Sequence, residues 1–208
     1  MRKNLLAALA VFMLVASQAT AQNLVENPSF EDPTVSMGSA NDVWFRFGSS
    51  ATNGTSSEST AMPRTGSRHI ELNLIGANQF AGVFQNLNMP INPGQIVNFT
   101  GWAKNASGAP FNATQEIKLE WQGAAQNRLD DLTLGSTYEM FSHTGVAPPG
   151  TTGLVVTYAI SSFGAGQTGN SLVHLDDITV TIIPEPATVG LVGLGSLGLV
   201  AFARRRRK

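Results

Sequence analysis

Gln95-Ile96-Val97-Asn98-Phe99-Thr100-Gly101-Trp102-Ala103-Lys104 is the stretch that decides the fold class. Val97, Phe99, Gly101 and Ala103 fall on one side of an extended chain, and Asn98, Thr100, Trp102 and Lys104 on the other. Successive side chains of a strand point to opposite faces, so a period of two with one polar set marks a half-buried strand. The same period recurs outward from it. Ile70, Leu72 and Leu74 oppose His69, Glu71 and Asn73, and Ile117, Leu119 and Trp121 oppose Glu116, Lys118 and Glu120. Further candidate strands are Asn23–Val25, Val43–Phe47, Gly82–Leu87, Tyr138–Val146, Thr152–Ser161 and Leu172–Ile182, separated by Gly/Pro/Asn/Ser turns. No stretch of residues 22–183 sustains a helical period over three turns. Short alternating strands at this spacing predict an all-β antiparallel sandwich. The Ser/Thr/Asn/Gly-rich segment Gly48–Pro63 is expected to be a long mobile loop.

The two ends of the chain carry a different composition and are set aside from the fold. Residues 1–21 read as a secretory signal peptide: Arg2 and Lys3 precede an apolar run from Leu5 to Ala16, and Ala19-Thr20-Ala21 offers a signal peptidase site. Residues 184–208 read Pro184-Glu185-Pro186, an uncharged run from Ala187 to Ala203, then Arg204, Arg205, Arg206, Arg207 and Lys208. The two prolines fix φ and remove amide donors, which predicts an extended collar ahead of a helix. Seventeen helical residues span roughly 25 Å, slightly short of a hydrocarbon core of about 30 Å. The basic cluster acts as a cytoplasmic stop. Collar, glycine-rich span and arginine cluster, in that order, resemble the PEP-CTERM sorting signal. That resemblance implies processing by an exosortase near Pro184-Glu185-Pro186. It also implies transient membrane attachment through a transmembrane sorting helix, then release to the cell surface or extracellular matrix.

Between the ends, residues 22–183 have the length of one domain. The full chain holds 13 Lys+Arg against 14 Asp+Glu. Seven of the basic residues lie in the two ends, so the domain keeps six basic residues against thirteen acids, a net charge near −7. An acidic domain lacks the basic footprint that nucleic acid requires. The chain has no cysteine, so no disulfide staples a domain that is exported to an oxidising compartment.

Two local patterns bracket the domain: Asn23-Leu24-Val25-Glu26-Asn27-Pro28-Ser29-Phe30-Glu31 at its start and His174-Leu175-Asp176-Asp177-Ile178-Thr179-Val180 at its end. Thr65-Gly66-Ser67, the Pro93-Gly94 turn and Phe99–Lys104 lie between. In this order they resemble carbohydrate-binding modules with the galactose-binding-like jelly roll, of the family 4/9/22 type. The resemblance implies a jelly-roll β-sandwich. It also implies a structural calcium held by Glu31, the Gly66–Arg68 loop and Asp176, with Asp177 as the alternate acid. Hard oxygens of this kind suit calcium.

Sugar binding calls for an aromatic platform on a polar face. Trp102 shares its face with Asn98, Thr100 and Lys104 and is the candidate; Trp121 belongs with Ile117 and Leu119 in the core, and Trp44 reads either way. Signatures of catalysis are missing. His69, His143 and His174 are scattered, so no close-spaced His/Cys metal site is expected, and neither a Gly-x-Ser-x-Gly elbow nor a P-loop occurs. Glu116 and Glu120 stand roughly 13 Å apart on one strand face, too far for a glycosidase pair, and with Lys118 between them read as a solvated face. The leading expectation is an exported, non-catalytic surface or matrix protein associated with exopolysaccharide or biofilm. The alternatives are a carbohydrate-binding module with structural calcium, and an exported polysaccharide hydrolase of unrecognised type.

Overall fold

The structure, a computed structural model, describes residues 22–32 and 43–183. In chain order the strands are β1 (Phe45–Gly48), β2 (Gly54–Ser59), β3 (His69–Leu74), β4 (Phe80–Leu87), β5 (Ile96–Asn105), β6 (Thr114–Gln122), β7 (Asn127–Asp131), β8 (Glu139–Val146), β9 (Gly153–Ser161) and β10 (Ser171–Ile183). They form two five-stranded antiparallel sheets, β1-β4-β9-β6-β7 and β2-β3-β10-β5-β8. Neither sheet follows chain order, as expected of a jelly roll, in which consecutive strands cross between layers. Among the described residues there is no helix, and so none long and apolar enough to cross a membrane. The signal peptide of residues 1–21, the Pro184-Glu185-Pro186 collar, the apolar run Ala187–Ala203 and the Arg204–Lys208 cluster lie outside the described residues.

The alternation read along β5 is realised residue by residue. Val97, Phe99 and Ala103 are buried in the core between the sheets, while Asn98, Thr100, Trp102 and Lys104 sit half-buried on the outer face. Gly101 falls on the inner side because a side chain there would collide: a Cβ would lie 2.5 Å from both Ile178 Cδ1 and Phe141 Cζ. The opposing sheet contributes Ile117, Leu119, Val156, Tyr158 and Ile160, all buried. Each large apolar side chain placed there stabilises the fold by about 1.5–3 kcal/mol relative to exposure. Trp44, readable either way in the sequence, is fully buried and packs at 5.2 Å from Phe30.

Residues 22–32 do not form the expected strand at Asn23–Val25, yet they are fastened to β10 by the same kind of bond. Leu24 N donates to the Val180 carbonyl, Val180 N donates to Asn23 Oδ1, and Asn23 Nδ2 donates to the Ile178 carbonyl. Asn27 and Phe30 adopt positive φ, which turns the chain so that Phe30 plugs the core. This explains the spacing of the opening motif: Asn23 reads β10, Asn27 makes the turn, and Phe30 fills the end of the sandwich.

Polar composition also conceals two strands. Gly48–Pro63 is not a long loop; it contains β2, whose Ser/Thr side chains conceal a strand paired with β3 from Gly54↔Leu74 to Ser59↔His69. The hydroxyl-rich composition carries no apolar alternation because both faces of this edge strand are only half-covered. β7, which pairs with β6, was missed for a similar reason: four of its five residues are polar.

Candidate functional site

Three strands build one outer face. On β3 the outward side chains are His69, Glu71 and Asn73, and the register His174↔Glu71 and His174↔Lys104 places β10 between β3 and β5. The row continues across β5 to β8 through Trp102↔Met140, Thr100↔Ser142 and Asn98↔Thr144. The sugar-platform candidates are therefore brought together as the sequence period requires. Trp102, Thr100 and Asn98 form one stripe, bordered by the hydroxyls of Ser142 and Thr144, which donate to Asn98 Oδ1 at 3.1 and 3.0 Å.

The segment between β2 and β3, residues 60–68, crosses this face as a strap. The Arg64 guanidinium lies 3.8 Å from the Trp102 ring centroid, a cation–π contact, and pairs with the Asp177 carboxylate. Lys104 Nζ and the Tyr138 hydroxyl both donate to the Met62 carbonyl, at 3.2 and 3.3 Å, and Lys104 also stands over the Tyr138 ring. One face of Trp102 is thus occupied by Arg64, a neighbour that sequence periodicity gave no means of placing.

The same strap receives the acids named as a calcium set. Glu31 accepts hydrogen bonds from the amides of Ser67 and Arg68 and from the Ser67 hydroxyl, at 2.8–3.1 Å. These donors hold its carboxyl below the usual carboxylate range. Asp176, fully buried, accepts from the amides of Arg64 and Thr65 through Oδ2 and of Asp177 through Oδ1. Burial outweighs these bonds and pushes its carboxyl up to about 6. Asp177, in a positive-φ bulge of β10, takes the hydroxyls of Ser29 and Thr65. Glu31, Asp176 and Asp177 therefore converge on residues 64–68. The groups that the strap turns toward their oxygens are N–H and O–H donors, whereas calcium asks for carbonyls.

A second cluster lies under the strap. His69 and His174, distant in sequence, stack with ring centroids 4.1 Å apart, and His174 Nε2 lies 3.6 Å from Glu71 Oε2. Both imidazoles are buried, and burial pushes each down to about 4, so both are neutral at pH 7. His69 Nδ1, His69 Nε2 and His174 Nδ1 are buried without a hydrogen-bond partner. Leaving such a group dry costs about 1–3 kcal/mol. The expectation that the histidines stay apart is therefore corrected: β-pairing of the first and last long strands of one sheet brings two of them together. Only the outward position of His69 and Glu71 on β3 was visible in the sequence.

Glu116 also departs from expectation. It is buried rather than solvated, accepts a hydrogen bond from the Ser161 hydroxyl, and pairs with Lys118 at 2.8 Å and Arg128 at 3.3 Å. Arg128 comes from β7, the strand whose pairing the sequence concealed. This network closes the far edge of the other sheet.

Comparison with known proteins places these features in context. A family profile described as the PEP-CTERM protein-sorting motif matches residues 183–208. No curated protein matches the sequence. Among solved structures, the Fischerella sp. TAU Stig cyclase Fisc aligns with a TM-score of 0.60 at 15% identity, covering 79% of this chain and 99% of that one. The CBM22-1 xylan-binding domain of Paenibacillus barcinonensis Xyn10C aligns at 0.55 and 12%, covering 80% and 97%. TmCBM61, solved with β-1,4-galactotriose, aligns at 0.54 and 13%, covering 78% and 100%. The chain spans about a fifth of the bacteriophage CBA120 tailspike protein 4 domain, which it also resembles, covering 21% of it. Identities this low speak to fold alone. The chain thus ends in a PEP-CTERM sorting motif and carries, ahead of it, a jelly-roll domain similar to those of carbohydrate-binding modules.

Proposed function

We propose that the protein is an exported, non-catalytic surface or matrix component, sorted through its tail by an exosortase and retained among extracellular polysaccharides. The observation that carries this reading is the joining of a sorting motif at residues 183–208 to a jelly roll whose outer face displays Trp102 beside Asn98, Thr100 and Lys104. An indole ring flanked by amide and hydroxyl groups suits the apolar face and rim hydroxyls of a sugar. Arg64, stacked on Trp102, occupies the position a pyranose ring would take, so binding requires the strap to shift or the sugar to use the ring's edge.

Retention of the secreted protein on the producing cells' own exopolysaccharide tests the binding half. Trp102→Ala is expected to keep the fold and to lose retention several-fold; full retention by a folded variant defeats it. Intact-mass measurement of the protein recovered from the medium tests the sorting half. Loss of the mass beyond the Pro184-Glu185-Pro186 region is expected, and an intact Lys208 end counts against it.

A structural calcium is favoured by one observation, the convergence of three carboxylates on residues 64–68. In that reading Glu31, Asp176 and Asp177 supply oxygens, and residues 64–68 exchange the amide and hydroxyl donors they now present for carbonyls of Gly66 or Arg68. Added calcium is then expected to raise the melting temperature of EDTA-treated protein. A melting temperature indifferent to calcium leaves the strap closed by its hydrogen bonds alone.

A further inference from the structure

We propose that His69, Glu71 and His174 form a binding site for a divalent transition metal of the zinc class, on the outer face of the β2-β3-β10-β5-β8 sheet beneath the 60–68 strap. The site is built by pairing. His174 stands directly opposite Glu71 across the β3–β10 ladder, and His69, two residues before Glu71, points to the same side. One ligand atom from each of the three lies within 4.8 Å of the others. The separation of 3.6 Å between His174 Nε2 and Glu71 Oε2 is too long for a hydrogen bond and short enough for two ligands of one ion.

The chemistry of the donors selects the metal. Two imidazole nitrogens and one carboxylate oxygen suit zinc, cobalt, nickel or copper, whereas calcium and magnesium prefer all-oxygen shells. The decisive observation is the wasted bonding capacity of His69. It has no exposed surface, yet both of its ring nitrogens lack a partner, and His174 Nδ1 shares that condition beside it. A pair placed for packing alone would be better served by apolar rings, because a neutral imidazole always carries one donor and one acceptor. An ion held by His174 Nε2, the atom that faces Glu71, and by one nitrogen of His69 removes one of the two unmet demands of His69. Glu71 supplies the compensating negative charge, against which stands the Lys104 ammonium, bound to the Met62 carbonyl at the rim. Three protein ligands leave a fourth position of a tetrahedral ion for water. The site uses none of Glu31, Asp176 and Asp177, although Asp176 stands only two residues beyond His174 on β10, so zinc at the imidazoles and calcium at the carboxylates are read by separate signals.

The test uses the full chain in detergent micelles, stripped with EDTA and titrated with zinc chloride while imidazole ¹H–¹⁵N resonances are recorded. His69 and His174 are expected to move and to saturate at one equivalent, with His143 unmoved as internal control. Cobalt in place of zinc is expected to give the visible bands of a tetrahedral site, and calcium to leave the imidazole resonances unchanged. Glu71→Gln should weaken zinc binding at least about tenfold, on the scale seen for perturbed metal shells. The proposal is overturned if His69 and His174 stay unmoved at one equivalent, if His143 moves with them, or if Glu71→Gln binds zinc as tightly as the native chain. Should the Glu71→Gln variant fail to fold, the native chain's resonances and cobalt spectrum still decide.

Discussion

At Gly66 the backbone φ is 59°, and a methyl group added there would stand 2.3 Å from Glu31 Oε1. Both the turn and the close approach demand glycine, so Gly66→Ala is expected to destabilise the domain by about 1–2 kcal/mol. A fall in the urea midpoint at unchanged slope would register it; an unchanged midpoint would mean that Glu31 does not grip the strap. His143 offers a pH-dependent counterpart. It is buried opposite Phe99, and burial holds its imidazole below the usual histidine range. The folded state therefore binds fewer protons than the unfolded chain below pH ~6.5, and stability from this residue is present above that pH and lost as pH falls. The stability difference between His143→Leu and the native chain is expected to shift in the variant's favour on acidification, as read from denaturant midpoints at pH 7.5 and pH 5; a pH-independent difference would refute it. Individual residues were legible unevenly. Trp102 and its polar companions follow from a period of two. The contacts of Glu31 with residues 66–68 were reached only through resemblance to a known fold. The pairing of His69 with His174 depends on which strands become neighbours, and no local pattern records that.

The strap between β2 and β3 is the element on which the proposed sugar binding turns. It is fastened by Arg64 to Asp177, by Arg68 to Glu58 at 2.9 Å, and by two backbone amides to Asp176. Trp44 and Trp121 are buried, so quenching of tryptophan fluorescence by acrylamide reports chiefly on Trp102. Arg64→Ala is expected to raise the quenching constant while circular dichroism stays unchanged; equal quenching would show that Arg64 does not shield the ring. The strands with alternating side chains were legible because one of their faces builds the core. β2 and β7 were not, because each is an edge strand of largely polar residues whose place is set by its neighbour's unpaired backbone rather than by its own apolar face. The strap was unreadable for the same reason: its docking is a matter of hydrogen bonds to acids more than a hundred residues further along the chain.

Across the whole molecule, stability rests on the interior between two sheets, without a single disulfide. Val25 and Phe30 belong to that interior although residues 22–32 lack regular structure. Phe30→Ala is expected to cost about 3–5 kcal/mol, the usual penalty for emptying an aromatic site, and to lower the melting temperature accordingly; a loss under 1 kcal/mol would show that this segment merely rests on the surface. The sandwich class was legible from composition and period, whereas the order of strands within each sheet was not, since crossovers depend on packing between layers. One feature of that order bears on resistance to force. β10 continues past its bulge at Asp177 to Ile183, where it pairs with Ile96; β5 flanks it to that end, and β3 flanks its first part, Ser171 to Leu175. Force applied at Ile183 along the strand axis therefore loads the β10–β5 ladder in shear, straining a whole rank of bonds at once instead of peeling them singly.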